Sequence, residues 1–237
     1  MQNWSRNIAG FQIFLLLVLP CKATTSPEEI VKRVNDKFAK IRDAQVDITL
    51  DTKLQILGCG GFVQKKGMLF FKAPDKIKII LDHDQYFIRG NNIRKIDREH
   101  KRYYIRLIHA PDFSPGFTPN LISHNFNLKL VRESTEEIVI EGTPKPGVLK
   151  NVKKVFFRID PEEYLLLGMD LSIRQGLSGK VVIKYEKIGG INVPVATSGK
   201  SALELNSGFL AGFFFSLRGE NVKVNLGLPD RLFDPGF

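Results

Sequence analysis

Gly67-Met68-Leu69-Phe70-Phe71-Lys72-Ala73-Pro74-Asp75-Lys76-Ile77-Lys78-Ile79-Ile80-Leu81 carries an apolar residue at every second position on either side of a proline. Successive side chains of an extended chain point to opposite faces. Leu69, Phe71, Ile77, Ile79 and Leu81 therefore share one sheet face, and Lys72, Lys76 and Lys78 share the other. Proline has no amide hydrogen to give a ladder, so Pro74 separates two strands. Similar segments recur along most of the chain, and they predict an antiparallel sheet with one greasy face. Such a face needs cover from a helix, a second sheet or a lipid.

Toward the N-terminus, Val46, Ile48, Leu50 and Leu54 alternate with Asp47, Thr49, Asp51 and Lys53, which predicts a first strand. Gly58, Gly60 and Gly61 supply the turn from it into the strand Gly67 to Lys72. Earlier still, Ser26-Pro27-Glu28-Glu29 is a capping box with proline in the first helical position. Ile30, Val34, Phe38 and Ile41, with Val31 beside them, form an apolar stripe opposite Lys32, Asp36 and Lys40. The spacing predicts an amphipathic helix from Pro27 to Ile41 lying on a greasy surface.

Toward the C-terminus, Lys76 to Leu81, Tyr86 to Ile88, Ile93 to Ile96 and Tyr103 to Leu107 read as short strands joined by polar turns, a meander. The rhythm breaks between Ala110 and Asn125, where Pro111, Pro115, Gly116 and Pro119 punctuate Phe113, Phe117, Leu121 and Ile122. This stretch is expected to be a loop and short helical segment folded over the open side of the sheet. Strands resume at Phe126 to Val131, Glu137 to Glu141, Val152 to Ile159, Leu165 to Ile173, Gly179 to Glu186 and Ile191 to Thr197, with a last one at Asn221 to Leu226. Gly189-Gly190 is a favoured hairpin turn. The run Gly208 to Leu217, with Phe213, Phe214 and Phe215, is apolar without alternation. Exposed, it is a loop that inserts into a membrane or partner; buried, it is a two-sided strand or a plug.

Phe11 to Leu19 is apolar apart from Gln12, follows Arg6 and precedes Pro20-Cys21-Lys22-Ala23, the layout of a secretory signal. The expected organisation is a signal peptide over residues 1–23 and a single domain over 24–237, periplasmic or secreted after cleavage. The alternative is a lipid anchor to the outer membrane through Cys21, against which Pro20 stands. Without the signal, Cys59 is the one cysteine left, so no disulfide forms within the domain. Net charge is +10, or +8 once Arg6 and Lys22 are gone, which suits attraction to an anionic membrane surface or, equally, the solvated sides of alternating strands.

Sequence motifs for chemistry do not emerge. Gly199-Lys200-Ser201 resembles the end of a phosphate loop, but Pro194 occupies the position of its first glycine. Asp82-His83-Asp84 would point its side chains to opposite sides of a hairpin, and His100, His109 and His124 lack ligand spacing. No serine sits in a nucleophile elbow, and Cys59 has no evident histidine partner. Lys66 to Phe71 has the wrong glycine and aromatic order for an RNA-binding strand, and Trp4 lies in the signal rather than at a lipocalin's first strand. The expectation is a protein that is not an enzyme, with no catalytic residue, cofactor, metal or nucleic-acid partner.

In the order of its pieces the chain resembles the bacterial periplasmic lipoprotein carriers and sorting proteins of the LolA/LolB type. The pieces are the helix Pro27 to Ile41, the strand Val46 to Ile56, the unit Gly67 to Leu81, the turn and aspartate of Gly90 to Asp97 before Tyr103-Tyr104, the hairpin Phe156 to Met169, the strand Val181 to Tyr185, and Val224-Asn225-Leu226-Gly227-Leu228-Pro229. The resemblance implies a mainly β fold with some helix: an unclosed, strongly curved antiparallel barrel whose concave side forms a hydrophobic cavity under a lid. It implies that Val46, Ile48, Leu50, Leu69, Phe71, Ile77, Ile79 and Leu81 face the cavity, with Phe38, Phe113, Phe117 and Leu121 in the lid. Carriers of this type commonly place an arginine before the strand-breaking proline to hold the lid; here that position is Ala73, which implies a looser, receptor-like or lipid-binding relative.

The function implied is a monomeric carrier that holds lipid or lipoprotein acyl chains and moves them between envelope membranes, in contact with a membrane surface and with inner- or outer-membrane transfer proteins. The competing expectation is a non-enzymatic cell-envelope module with a filled core, docking through the Phe213-Phe214-Phe215 segment.

Overall fold

The computed structural model describes residues 25–56, 59–89, 92–97, 102–104, 120–147, 152–173, 177–204 and 210–234. Helix α1 runs Pro27–Phe38. The Glu29 amide donates to Ser26 Oγ at 3.1 Å, as the capping box requires. The helix ends three residues short of the expected Ile41, but the Ile41 amide still bonds the Phe38 carbonyl at 3.0 Å, so the turn tightens and Ile41 stays buried.

The strands are β1 (Asp43–Ile56), β2 (Cys59–Lys72), β3 (Lys76–Leu81), β4 (Asp84–Arg89), β5 (Asn92–Asp97) and β6 (Arg102–Tyr104). After the short helix α2 (Asn120–Asn125) come β7 (Phe126–Glu133), β8 (Ile138–Pro144), β9 (Val152–Ile159), β10 (Leu166–Ile173), β11 (Leu177–Ile188), β12 (Ile191–Glu204) and β13 (Leu210–Val224). Among the described residues they form one 13-stranded antiparallel sheet in the order β6-β5-β4-β3-β2-β1-β13-β12-β11-β10-β9-β8-β7. The chain thus starts mid-sheet, walks out to β6, crosses to the far edge at β7 and walks back until β13 pairs with β1. β6 and β7 are the sheet's two ends, so the barrel is unclosed, as expected.

The sheet is strongly curled. Ile77 of β3 and Leu166 of β10 line the same cavity although six inter-strand steps separate their strands. At about 4.8 Å per step a flat sheet would hold them about 29 Å apart.

Local predictions hold where the signal is local. Leu69 pairs with Ile79 and Phe71 with Ile77, one apolar face as the alternation required, and Gly189-Gly190 turns β11 into β12 with φ of 56° and 81°. Two expectations need correction. Gly60 and Gly61 lie inside β2 rather than in the turn, since β1 and β2 pair all the way to Ile56 and Cys59. The apolar run, left open between an inserting loop and a two-sided strand, is strand from Leu210 to Leu217, and the correction is that it is continuous with the supposed separate strand at Asn221: both belong to β13, hydrogen-bonded to β1 and β12. Its register slips near Asn221, which takes φ of 51° and donates to Asp47 Oδ2 at 2.9 Å, a bulge that bends one strand instead of ending it. Pairing to strands on both sides satisfies the backbone of a run that has no alternation of its own.

The apolar interior falls into two clusters. In the first, Ile30, Val31 and Val34 of α1 and Ile122 of α2 pack with residues of β7 to β11, including Ile140, Val155, Phe157 and Ile159, all fully buried. In the second, Ile41, Val46, Ile48, Phe71, Ile77, Leu81 and Val193 gather with Phe38 at their margin. Outside the curve, the segment after β13 is tied down by Asp43, whose carboxylate accepts from the amides of Leu226, Gly227 and Leu228 at 2.6, 2.9 and 3.3 Å. The 3-10 turn Asp230–Phe233 packs against β3.

Candidate functional site

Between the second cluster and Leu166, Ile183 and Tyr185 of the first, the packing leaves a cavity of about 90 Å3, partly open to solvent. Val46 and Ile48 reach it from β1, Leu69 and Phe71 from β2, and Ile77 from β3; all five were expected there from alternation or resemblance. Phe38, expected in the lid, also lines it, from the last turn of α1. Leu50, Ile79 and Leu81 lie in the same cluster but outside the lining. Phe113 and Phe117 lie outside the described residues, and Leu121 belongs to α2 without a described side chain. The cavity is smaller than the ~300–1,000 Å3 typical of sites that enclose a drug-sized molecule.

The helix covers the cavity less than expected. Its buried residues Ile30, Val31 and Val34 pack into the β7–β11 cluster, while Phe38 and the following Ile41 line the hollow. The helix is held by polar contacts at its margin: Arg33 Nη1 donates to the Tyr164 hydroxyl at 2.9 Å, and Lys37 Nζ reaches Glu163 at 3.2 Å. The hydrogen bond to Glu29, then that to Tyr164, holds the Arg33 guanidinium above its ordinary value, so it stays charged.

The far wall was not foreseen. It consists of Leu166 and Ile183, Tyr185, the consecutive residues Val193 to Thr197, and Leu217 with Gly219. Five neighbours in one strand all line the cavity because β11 and β12 shift register there: Tyr185 pairs with Pro194 and Lys184 with Ala196, leaving Val195 as the extra residue of a bulge. Pro194 within an expected strand was the available signal, since proline inside a sheet favours bulges.

The lining is almost purely hydrocarbon. Its side-chain polar groups are the Thr197 and Tyr185 hydroxyls, and the latter donates to the Leu166 carbonyl at 3.1 Å. Burial pushes the Tyr185 phenol far above its usual range, so no charge develops in the wall. Surfaces of this kind bind alkyl groups by excluding water and offer nothing for acid–base or nucleophilic work. Among the described residues no helix is long and apolar enough to cross a membrane.

No protein-family model matches the sequence, and no curated protein matches it. Solved structures do match the fold. A DUF1329 family protein from Desulfovibrio piger superposes with a TM-score of 0.67 at 16% identity, covering 87% of this chain and 95% of that one. A LolA superfamily protein from Nitrosomonas europaea gives 0.60 at 13% identity, over 89% and 98%. A proposed outer membrane lipoprotein-sorting protein domain from Vibrio parahaemolyticus gives 0.63 at 11% identity, over 87% and 97%. At these identities the likeness is one of fold, and the fold is LolA-like.

Proposed function

We propose that this protein is a non-enzymatic carrier or binding protein of the cell envelope that holds an acyl chain of a lipid or lipoprotein in the cavity between Phe38 and the curled sheet. The observation that carries the reading is a hydrocarbon-lined hollow, partly open to solvent, beside a cluster of fully buried side chains beneath the helix. Had the whole face been filled, the competing structural module would be favoured.

Burial of an acyl chain is worth about 0.8 kcal/mol per methylene, so a few carbons suffice for weak capture. A longer chain needs more room than about 90 Å3 and therefore displaced side chains. Phe38 is the candidate to move, because it sits at the end of its helix, beyond the well-packed turns. Aliphatic walls without directional hydrogen bonds favour transfer by affinity difference over permanent capture. Export to the periplasm and action between membranes belong to the same proposal.

Native mass spectrometry of the gently extracted protein tests it. Copurifying lipid is expected, and Ala44→Phe, which fills the cavity from β1, is expected to abolish that mass while leaving the fold intact. Lipid-free wild type that also fails to bind added fatty acid would overturn the carrier reading.

A further inference from the structure

Past the cavity the sheet continues as an arm. From Ile48 to Leu54, β1 extends about 20 Å, flanked by β2 on one side and by β13 and then β12 on the other. Register aligns Phe62, Lys53, Phe214 and Lys200 in a single row across these strands, and Lys180 of β11 extends it. Aromatic and cation alternate, all on one face. Phe62 and Phe214 are 62% and 39% exposed, and the three lysines are exposed as well. In the next row on that face, the Asp51 carboxylate is engaged by Arg218 at 2.8 Å.

The opposite face of the arm is apolar too. Leu54 pairs with Phe213, and they are 50% and 38% exposed; one row inward Val63, 51% exposed, stands beside Thr52 and Phe215. The Phe213 and Phe215 ring centroids lie 6.3 Å apart, and Leu217, two residues further along the same face, lines the cavity.

We infer that the end of this arm docks on an anionic lipid surface, burying apolar side chains of both its faces while Lys53, Lys200 and Lys180 meet lipid phosphates. Charge complementarity singles out this occupant: a protein partner would cover one face, whereas apolar groups on both faces of one strand end, interleaved with lysines, fit an interface that surrounds the element. Lysine stems lie along apolar surface while their ammonium groups reach out to phosphate. The stripe Phe213, Phe215, Leu217 then gives hydrocarbon a continuous path from bilayer to cavity; this consequence alone rests on the carrier reading.

The test uses the full chain with Cys21→Ser, in which Cys59, exposed at the β1–β2 end of the arm, is the single cysteine and takes a polarity-sensitive fluorophore. Vesicles are phosphatidylcholine with or without about one-third phosphatidylglycerol. Flotation with the anionic vesicles only, weakening with salt, and a blue shift at Cys59 are expected. Lys53→Glu with Lys200→Glu is expected to lower partitioning about tenfold or more, and Phe62→Ser with Phe214→Ser to lower it comparably. Equal flotation on both vesicles, no flotation, flotation without a fluorescence change, or undiminished binding of the folded variants would each overturn the inference. The fluorescence readout needs no variant of the arm, and Ala44→Phe should float normally, which separates failure of docking from failure of cargo binding.

Discussion

Phe38 meets Phe71 edge to face, with ring centroids 5.6 Å apart and planes at 64°. The last residue of the helix thereby closes on the second strand at the cavity it helps to line. Phe38→Ala is expected to keep the fold at a cost of about 1–3 kcal/mol, read by urea denaturation. Release of a bound fluorescent fatty acid, followed by stopped flow, should speed up at least about threefold. An unchanged release rate would show that Phe38 packs without gating.

Asp43, 4% exposed, accepts from three successive backbone amides of the C-terminal segment. Asp43→Ala strands those donors and should cost about 2–4 kcal/mol in chemical denaturation. Hydrogen exchange should rise across Leu226 to Leu228 before it rises in β9, where fully buried residues dominate.

Asp230 bridges Lys76 at 2.8 Å and Lys72 at 3.1 Å. The hydrogen bonds to Lys76 and then Lys72 hold its carboxyl below the ordinary carboxylate value. A carboxyl lowered on folding stabilises the folded state above its unfolded pKa, and that contribution fades as pH falls through the lowered folded value. Docking of the Asp230–Phe233 turn on β3 should thus be constant at neutral pH and weaken in acid, only below the usual carboxylate range. Limited proteolysis of this segment across an acid series, with Asp230→Asn as the pH-independent control, checks the sign.

Gly67 lies where β2 passes so close to β3 that a Cβ would run into the Ile80 carbonyl oxygen. Gly67→Val should therefore separate the strands and cost more than about 3 kcal/mol, seen as a large fall in melting temperature or as insoluble protein. The backbone of Ile80 cannot yield as a side-chain end could. Gly61, in the same strand but with nothing near its would-be Cβ, should accept alanine with little effect.

How much was legible follows the range of each interaction. The capped helix, the hairpins around Asp82 and Gly189, and the shared face of Leu69, Phe71, Ile77 and Ile79 were readable because each signal lies within a few residues. The far wall of the cavity was not, because Val193 to Thr197 line it through a bulge whose register depends on β11. The Phe213-Phe214-Phe215 run was ambiguous for a related reason: a strand paired on both sides needs no alternation, and its neighbour β1 lies more than 150 residues earlier in the chain.

By itself the sequence determined a repeated two-residue period with one apolar side, and a helix bound to need cover, because side-chain direction in each element depends only on local backbone geometry. Tertiary structure alone decided that β13 closes on β1, that helix α1 packs onto the β7–β11 cluster, and that a hollow remains between that cluster and the second. The reason is volume: whether facing side chains meet or leave space depends on how tightly strands from distant parts of the chain curl toward each other.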